Sequence, residues 1–265
     1  MLPPIAPPLP AAAGIAPPPA LLLAAGRGER MRPLTDHTPK PLLAVQGRPL
    51  LEWHLHALAQ SGVRRVVINT AWLGGQIRRR LTHSWDDFGH FPAPGQGGPL
   101  SISYSNEAED FGHALETAGA IARALPLLAA PVFWLAAGDV YAPQFRFQAQ
   151  AVQRFAASDA LAHLWLVPNP AHHPQGDFGL AGDGRLLHLP ASSPLPRYTY
   201  STIALLRAEL LAAPWCDIPA GNPQGQAAPL APLLRRAMDA GRVTGELYSG
   251  PWVDVGTPER LAALG

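Results

Sequence analysis

Short apolar runs that end in glycine or a polar residue recur along the first half of the chain. Residues 20–25 contain no polar side chain and are followed by Gly26, a pattern typical of a buried strand in a parallel sheet. Residues 132–137 are likewise apolar and run into Gly138, residues 63–69 form a β-branched run, and residues 100–104 alternate between apolar and polar positions. These four segments are predicted to be strands.

Segments with helical spacing of apolar residues separate these strands. The spacing predicts helices over 50–61, 73–81 and 115–125, and a further helix over 230–240. Because strands and helices alternate with short connections, we expect right-handed βαβ units. The fold class predicted is α/β, with a mostly parallel, Rossmann-like sheet flanked by helices. Residues 86–99 are rich in Asp, Gly and Pro and are predicted to form a surface loop.

The pattern changes after about residue 158. Short strands are predicted without long helices between them, which indicates a smaller, partly antiparallel region beside the first sheet. These strands cover residues 161–167, 178–181, 186–189, 200–206 and 243–248. The predicted organisation is therefore one domain over 20–265, with parts at about 20–158 and 159–265. Residues 1–19 are rich in Pro and Ala and are predicted to be a disordered tail.

Composition excludes several classes of partner. The 265 residues carry a net charge of +1, which argues against binding to nucleic acid or an anionic membrane. No segment has the roughly 20 uninterrupted apolar residues of a membrane span. The single cysteine, Cys216, excludes an internal disulfide and indicates a reducing, cytoplasmic location. Lys40 is the only lysine among 20 basic residues, which singles it out where arginine serves elsewhere.

A glycine-rich segment follows the first strand directly. Residues 23–35 read LAAGRGERMRPLT. Glycine at the end of a strand lets backbone N–H groups approach phosphate oxygens. The segment is not a dinucleotide-binding fingerprint, because Met31 stands where the third glycine is needed, and no Gly-Lys-Ser/Thr sequence of a P-loop is present.

This segment, followed by Pro39-Lys40-Pro41, resembles the signature of sugar-1-phosphate nucleotidyltransferases. The resemblance implies an enzyme that joins a nucleoside triphosphate to a sugar 1-phosphate and releases pyrophosphate. It assigns the catalytic phosphate contacts to Arg30 and Lys40, since fixed cations must offset the charge of two reacting anions. Residues 114–121 match the family's loop and helix near the base. The nucleotide-binding residues that the resemblance implies are Ala24, Ala25, Gly26, Gly28, Glu29, Arg30, Lys40, Ala114, Glu116 and Gly138.

Two aspartates are candidates for a metal site. Asp139 follows a predicted buried strand, where open α/β sheets place ligands, and Asp254 lies before a turn. Mg²⁺ prefers carboxylates, phosphates and water as ligands. The family resemblance implies that Asp139 and Asp254 hold one Mg²⁺.

Further strings resemble a branch of the family that transfers UMP from UTP to a sugar 1-phosphate of the bacterial cell wall, in peptidoglycan recycling. They read NTAWLG at 69–74, NPAHHPQGDF at 169–178, APLLR at 231–235 and GPWVDVGT at 250–257. The sugar-binding residues implied are Gly176, Asp177, Ser201, Thr202 and Trp252. Thr202 departs from the family, which usually has glycine there, and Ala118 also stands in place of a glycine.

Other functions are compatible with the same motifs. One is the same reaction with another pair of substrates, either mannose 1-phosphate with GTP or glucose 1-phosphate with dTTP or UTP. A different class is a non-catalytic sensor of nucleotide sugars. The presence of both cations, Arg30 and Lys40, and both carboxylates, Asp139 and Asp254, favours an enzyme.

Overall fold

The computed structural model describes residues 16–88 and 100–265. The strands are β1 (Ala20–Ala24), β2 (Ala44–Val45), β3 (Arg48–Pro49), β4 (Arg65–Thr70), β5 (Ser101–Asn106), β6 (Val132–Ala137), β7 (Val140–Tyr141), β8 (Ala162–Val167), β9 (Gly179–Leu180), β10 (Leu186–Leu187), β11 (Thr199–Arg207), β12 (Val243–Leu247) and β13 (Val253–Asp254). The helices are α1 (Leu34–His37), α2 (Leu50–Gln60), α3 (Gly74–Phe88), α4 (Glu107–Phe111), α5 (Glu116–Leu128), α6 (Ala149–Ala157), α7 (Ala231–Asp239) and α8 (Pro258–Ala262).

One seven-stranded sheet organises the described residues, in the order β12-β8-β11-β6-β1-β4-β5. Only β11 runs antiparallel to its neighbours, β6 and β8, and the remaining pairs are parallel. The predicted mostly parallel α/β sheet is therefore confirmed. Small antiparallel pairs accompany it, β2 with β3, β9 with β10, and β7 with β13. Strands β8, β11 and β12, from the second part of the chain, extend the main sheet itself.

Helices cover both faces of the sheet, and β1 shows why its sequence is apolar throughout. Leu21 packs into one core cluster together with Ile121 of α5. Leu22, its neighbour, packs into the cluster on the other side, with Leu55 of α2. Because successive side chains of a strand point to opposite faces, a strand covered on both sides has no solvent-facing position.

Most predicted elements appear with boundaries shifted by a few residues. Helix α3 is longer than predicted and includes 86–88, which the sequence assigned to a loop, and the rest of that loop lies outside the described residues. The predicted tail lies outside them up to residue 15. At its end, the carbonyl oxygen of Pro19 accepts a hydrogen bond from Trp134 N at 2.9 Å. Among the helices of the described ranges, none is long and apolar enough to cross a bilayer.

Candidate active site

A cleft of 710 Å³ opens at the carboxyl ends of the parallel strands. Its walls include Ala24 and Gly26 after β1, Asn69 near the end of β4, Glu107 after β5, and Asp139 after β6. Parallel strands end at the same edge of the sheet, so residues far apart in sequence meet there. The location predicted for ligand binding is thus occupied by a cleft large enough for a nucleotide.

A chain of hydrogen bonds joins three strand ends beneath the cleft. Ala24 N donates to Asn69 Oδ1 at 2.7 Å, and Asn69 Nδ2 donates to Glu107 Oε1 at 2.7 Å. The other oxygen of Glu107 accepts from Leu115 N at 2.8 Å. Burial raises the pKa of the Glu107 carboxyl, and the two donated bonds oppose that shift. The network fixes the β1 loop relative to the loop that precedes α5.

The glycine-rich loop is held by its own side chains. Gly28 adopts φ of +68°, and a Cβ there would lie 3.0 Å from the methyl group of Thr35, so the turn requires glycine. Thr35 Oγ1 donates to Gly28 O at 2.8 Å. Arg27 donates to Thr35 O at 2.8 Å, and its guanidinium stacks 3.8 Å from the ring centre of Trp72. Trp72 belongs to the string at 69–74, whose function is thus partly to support this loop.

The residues predicted to bind nucleotide fall into two groups. Six of them line the cleft, namely Ala24, Ala25, Gly26, Lys40, Ala114 and Glu116. Gly28, Glu29 and Gly138 do not line it, and Arg30 lies at a neighbouring cavity described below. Glu29 is exposed, within 3.7 Å of Arg27. A Cβ on Gly138 would lie 3.0 Å from Leu23 O, so glycine there permits the close approach of the β6 turn to β1.

Lys40 and Asp139 both line the cleft and form an ion pair. Lys40 Nζ lies 2.5 Å from Asp139 Oδ2, and Lys40 is only 8% exposed. The lysine comes from a short 3-10 helix, Lys40–Leu42, and the aspartate from the turn between β6 and β7. A buried ammonium is thereby paired, which offsets much of the cost of its burial.

Asp139 also borders a second cavity of 360 Å³, which contains the other predicted metal ligand, Asp254. The pairing of β7 with β13 places Asp254 opposite Val140, one residue from Asp139. Arg260 Nη1 donates to Asp254 Oδ2 at 2.7 Å. The predicted pair of carboxylates therefore faces one cavity from two distant parts of the sequence.

Three further basic residues, Arg30, His172 and His173, lie at the second cavity. Arg30 lines it, and its side chain has no hydrogen bond or ion pair within the described ranges. His172 Nε2 accepts a hydrogen bond from Arg260 at 3.0 Å and lies 3.6 Å from Asp254 Oδ2. Arg260 thus links His172 to Asp254, since the same guanidinium nitrogen donates to both.

The predicted sugar-binding residues are separated by the alternation of β11. Thr202 lines both cavities, whereas Ser201 is fully buried on the opposite side and donates to Trp165 O at 2.7 Å. Asp177 lines the large cleft and accepts from Tyr200 N at 2.8 Å. Trp252 lines the second cavity and donates to Ser201 O at 3.0 Å. The side chain of Ser201 thus supports the strand and faces neither cavity.

Gly176 also lies outside the lining of both cavities. It adopts φ of +62°, and a Cβ would lie 2.6 Å from Asn169 Oδ1. Glycine is therefore required for the turn that presents Asp177.

Sequence reasoning missed several residues of the cleft. Asn69 and Glu107 both line it. Their positions at or shortly after the ends of two predicted strands could have indicated that they lie at the ligand-binding edge of the sheet. Tyr200 lines both cavities, and its buried hydroxyl has no partner in the described part of the chain. Burial raises the pKa of Tyr200, which keeps the hydroxyl neutral and able to donate. Arg235 of α7 lines the large cleft as well.

Comparison with known proteins shows the family to which this chain belongs. The family model for nucleotidyl transferases matches residues 19–185, and the chain belongs to that family. N-acetylmuramate alpha-1-phosphate uridylyltransferase of Neisseria meningitidis is 42% identical over 91% of this chain and 94% of its own. The Caulobacter vibrioides protein of the same name is 30% identical over 92% of this chain and 94% of its own. The resemblance inferred from the motifs is therefore confirmed.

The fold has a solved counterpart. A Bacillus anthracis structure described as a glucose-1-phosphate thymidylyltransferase superposes with a TM-score of 0.71, at 19% identity, and covers 94% of both chains. At that identity the likeness concerns the fold.

Proposed function

We propose that this protein transfers UMP from UTP to N-acetyl-α-muramate 1-phosphate, giving UDP-N-acetylmuramate and pyrophosphate. The observation that carries the proposal is the 42% identity with the Neisseria meningitidis enzyme across nearly the full length of both chains. A match of this extent includes the second part of the chain, which supplies Asp177, Thr202 and Trp252 to the cavities. Motifs shared by all nucleotidyltransferases support only the reaction class.

The reaction needs no covalent enzyme intermediate, but the protein must offset the negative charge of the two reacting groups. An oxygen of the sugar phosphate attacks the α-phosphorus of UTP, and the bond from that phosphorus to the oxygen of the leaving pyrophosphate breaks. The nucleophile is ionised at neutral pH, so no general base is required. Two anions must approach, and the cations Lys40 and Arg30 border the two adjoining cavities where they would meet.

We assign Mg²⁺ to Asp139 and Asp254. The donor set fits this ion, since both groups are carboxylates, both face the 360 Å³ cavity, and their side chains are 35% and 28% exposed. Within the described residues no group of three or more His, Cys, Asp and Glu side chains is placed to hold a metal. Substrate phosphates and water would therefore complete the coordination, and the ion would supply charge stabilisation at the phosphates.

We assign the base of the nucleotide to the part of the large cleft that lies at the β1 loop and the start of α5. The backbone of 24–26 and the start of α5 border it together. Glu116 adopts φ of +54°, an unfavourable conformation for a non-glycine residue, at the point where the loop meets the cleft. Such a constrained backbone, tied to Asn69 through Glu107, suits contacts between main-chain groups and a base.

The proposed setting is the cytoplasm, where UTP is available, in the recycling of peptidoglycan. Cys216, the only cysteine, is unpaired and buried, which is compatible with a reducing compartment.

Pyrophosphate release across a grid of sugar 1-phosphates and nucleoside triphosphates tests the proposal. UTP with N-acetylmuramate 1-phosphate should give the highest kcat/KM. A preference of about tenfold or more for mannose or glucose 1-phosphate would overturn the substrate assignment. Nucleotide-sugar binding without turnover of any pair would identify a sensor instead of an enzyme.

A further inference from the structure

Helix α7 forms one wall of the large cleft. Leu234 is 2% exposed and anchors the helix in the core, where it belongs to the same cluster as Phe178. Ala231 and Arg235 are four residues apart, on one face of the helix, and both line the cleft. The core contacts of the helix therefore fix Arg235 at the cleft wall.

Arg235 is a cation without a partner. Its side chain makes no hydrogen bond and no ion pair to any residue that the structure describes. Three of the four acidic residues of the same cleft have other partners: Lys40 pairs with Asp139, Glu107 accepts from Asn69 and Leu115, and Asp177 accepts from the backbone of Tyr200. The fourth, Glu116, also lines the cleft and makes no ion pair with Arg235 in the described part of the chain. An arginine presents planar, paired donors that match a carboxylate or phosphate. The geometry thus leaves one site at the cleft wall for an anionic group of a ligand.

The position of Arg235 separates it from the proposed phosphate centre. Arg30 and Asp254 border only the second cavity and Asp139 borders both, whereas Arg235 borders only the large cleft. Helix α7 packs with the region around Phe178 and β10, in the part of the chain that also provides Asp177 and Tyr200. Arg235 therefore shares the large cleft with Asp177 and Thr202, two of the proposed sugar contacts, and does not border the cavity of Arg30 and Asp254.

Only one anionic group in the proposed substrates lies outside their phosphates. The base, the ribose and the N-acetyl group are neutral, while the muramate carries a lactyl carboxylate on its 3-oxygen. We propose that Arg235 binds this carboxylate and is a residue that determines specificity for the acidic sugar. This inference rests on the proposed function. It explains how the cleft would select the acid over N-acetylglucosamine 1-phosphate, which has a neutral hydroxyl at the same position.

The test varies the charge of the residue and the charge of the substrate together. We would measure kcat/KM with UTP for N-acetylmuramate 1-phosphate, for its lactamide, in which a neutral CONH₂ replaces the carboxylate, and for N-acetylglucosamine 1-phosphate. The variants are Arg235→Gln and Arg235→Lys. The matched control is Arg236→Gln, because Arg236 is the next residue of α7, donates to Trp215 O and does not line the cleft.

Wild-type protein should prefer the acid to the lactamide. Arg235→Gln should lower kcat/KM for the acid by about ten- to a hundredfold and leave the two neutral substrates within about threefold, because only the acid loses a charged partner. Arg235→Lys should retain an intermediate preference, and Arg236→Gln should behave as wild type. All variants should melt at nearly the same temperature, since Arg235 is exposed.

Two failures are distinguishable. If wild-type protein prefers the acid but Arg235→Gln lowers kcat/KM equally for all three substrates, or for none of them, the role of Arg235 is overturned and the proposed function stands. If wild-type protein does not use N-acetylmuramate 1-phosphate, the proposed function falls, and the role of Arg235 falls with it.

Discussion

The ammonium of Lys40 lies 2.5 Å from the carboxylate of Asp139, so the only lysine of the chain contacts one of the two proposed metal ligands. Lys40 is flanked by Pro39 and Pro41 and is 8% exposed, which leaves its side chain little freedom. A compact point charge fits between the β1 loop and the β6 turn. A planar guanidinium is broader and needs a different arrangement of acceptors.

We therefore predict that Lys40→Arg folds normally and loses most of its activity. The guanidinium would displace either Asp139 or the phosphates, and an error of about 1 Å in placement costs on the order of a hundredfold in rate. Lys40→Ala should be similarly impaired. Steady-state pyrophosphate release and thermal melting measure the two effects separately.

The matched control exchanges the same two residue types elsewhere. Arg154→Lys changes an exposed arginine of α6 that pairs with Glu246 at the surface, and it should leave turnover unchanged. Wild-type turnover by Lys40→Arg would contradict the prediction, since it would show that any cation serves at this position.

The paired carboxylates give a second prediction. Asp139→Asn and Asp254→Asn preserve shape but remove the charge that Mg²⁺ requires, so each should lower kcat by orders of magnitude. The double variant should be little worse than either single one, because both residues act on one ion. Activity measured over a range of Mg²⁺ concentrations should depend less on Mg²⁺ in each variant than in wild type.

Asp183→Asn is the control for this series, because Asp183 pairs with Arg185 in the exposed turn between β9 and β10. It should leave the metal dependence unchanged. Losses that multiply in the double variant would indicate two independent roles in place of a shared ion.

The sequence predicted the sheet well because buried parallel strands have a distinctive composition. The runs at 20–25 and 132–137 are apolar throughout, which is typical of strands covered on both faces. Helix α6 was missed because it is short and Val152 and Phe155 are its only large apolar residues. The placement of β11 between β6 and β8 was also not predictable, since pairing partners depend on packing across distant segments.

Site residues were predictable where a motif identifies them. They were less predictable where the direction of the side chain decides whether the residue faces a cavity. Lys40 and Asp139 were identified from motifs and lie together. The family resemblance implies that Ser201 binds the sugar, yet strand alternation turns it away from the cavities and leaves Thr202 facing them. Glu107 was missed because a buried carboxylate depends on donors from Asn69 and Leu115 that sequence spacing does not show.

A third prediction concerns stability at low pH. His54 is 2% exposed, and its Nε2 lies 2.8 Å from Val140 O, so it supports the turn that carries Asp139. Burial lowers its pKa below the ordinary 6.5, and the folded protein keeps it neutral. The unfolded chain takes up a proton below pH 6.5, so stability should fall as the pH drops from about 7 to 5. One such group contributes at most about 1.4 kcal/mol per pH unit.

Urea unfolding of His54→Gln and wild type over that range isolates this contribution. The variant should be less stable at pH 7 but lose less stability on acidification. Burial also lowers the pKa of His163, which adds to the loss of stability on acidification. It raises the pKa of Glu107, which opposes that loss. Both remain in each protein and cancel in the comparison. Parallel curves for the two proteins would mean that His54 does not titrate differently on folding.

The last prediction concerns Thr202, one of the predicted sugar contacts. Its φ is +64°, in the left-handed region, and a β-branched residue in that conformation costs about 1–2 kcal/mol. The strand shifts register between Tyr200 and Ala204, which fixes this backbone. Thr202→Gly should therefore melt at the same or a higher temperature than wild type. Thr202→Ala keeps a Cβ and should not show the gain.

The same pair of variants separates strain from pocket shape. Thr202 lines both cavities, so removal of its side chain should enlarge the space where the two cavities adjoin. Both variants should accept a broader set of sugar 1-phosphates, whereas only Thr202→Gly should be stabilised. If Thr202→Gly is destabilised and its sugar preference is unchanged, the threonine neither strains the strand nor shapes the cavity. Thermal melting and kcat/KM across the sugar panel decide between these outcomes, because strain acts on folding while the side chain acts on the bound sugar.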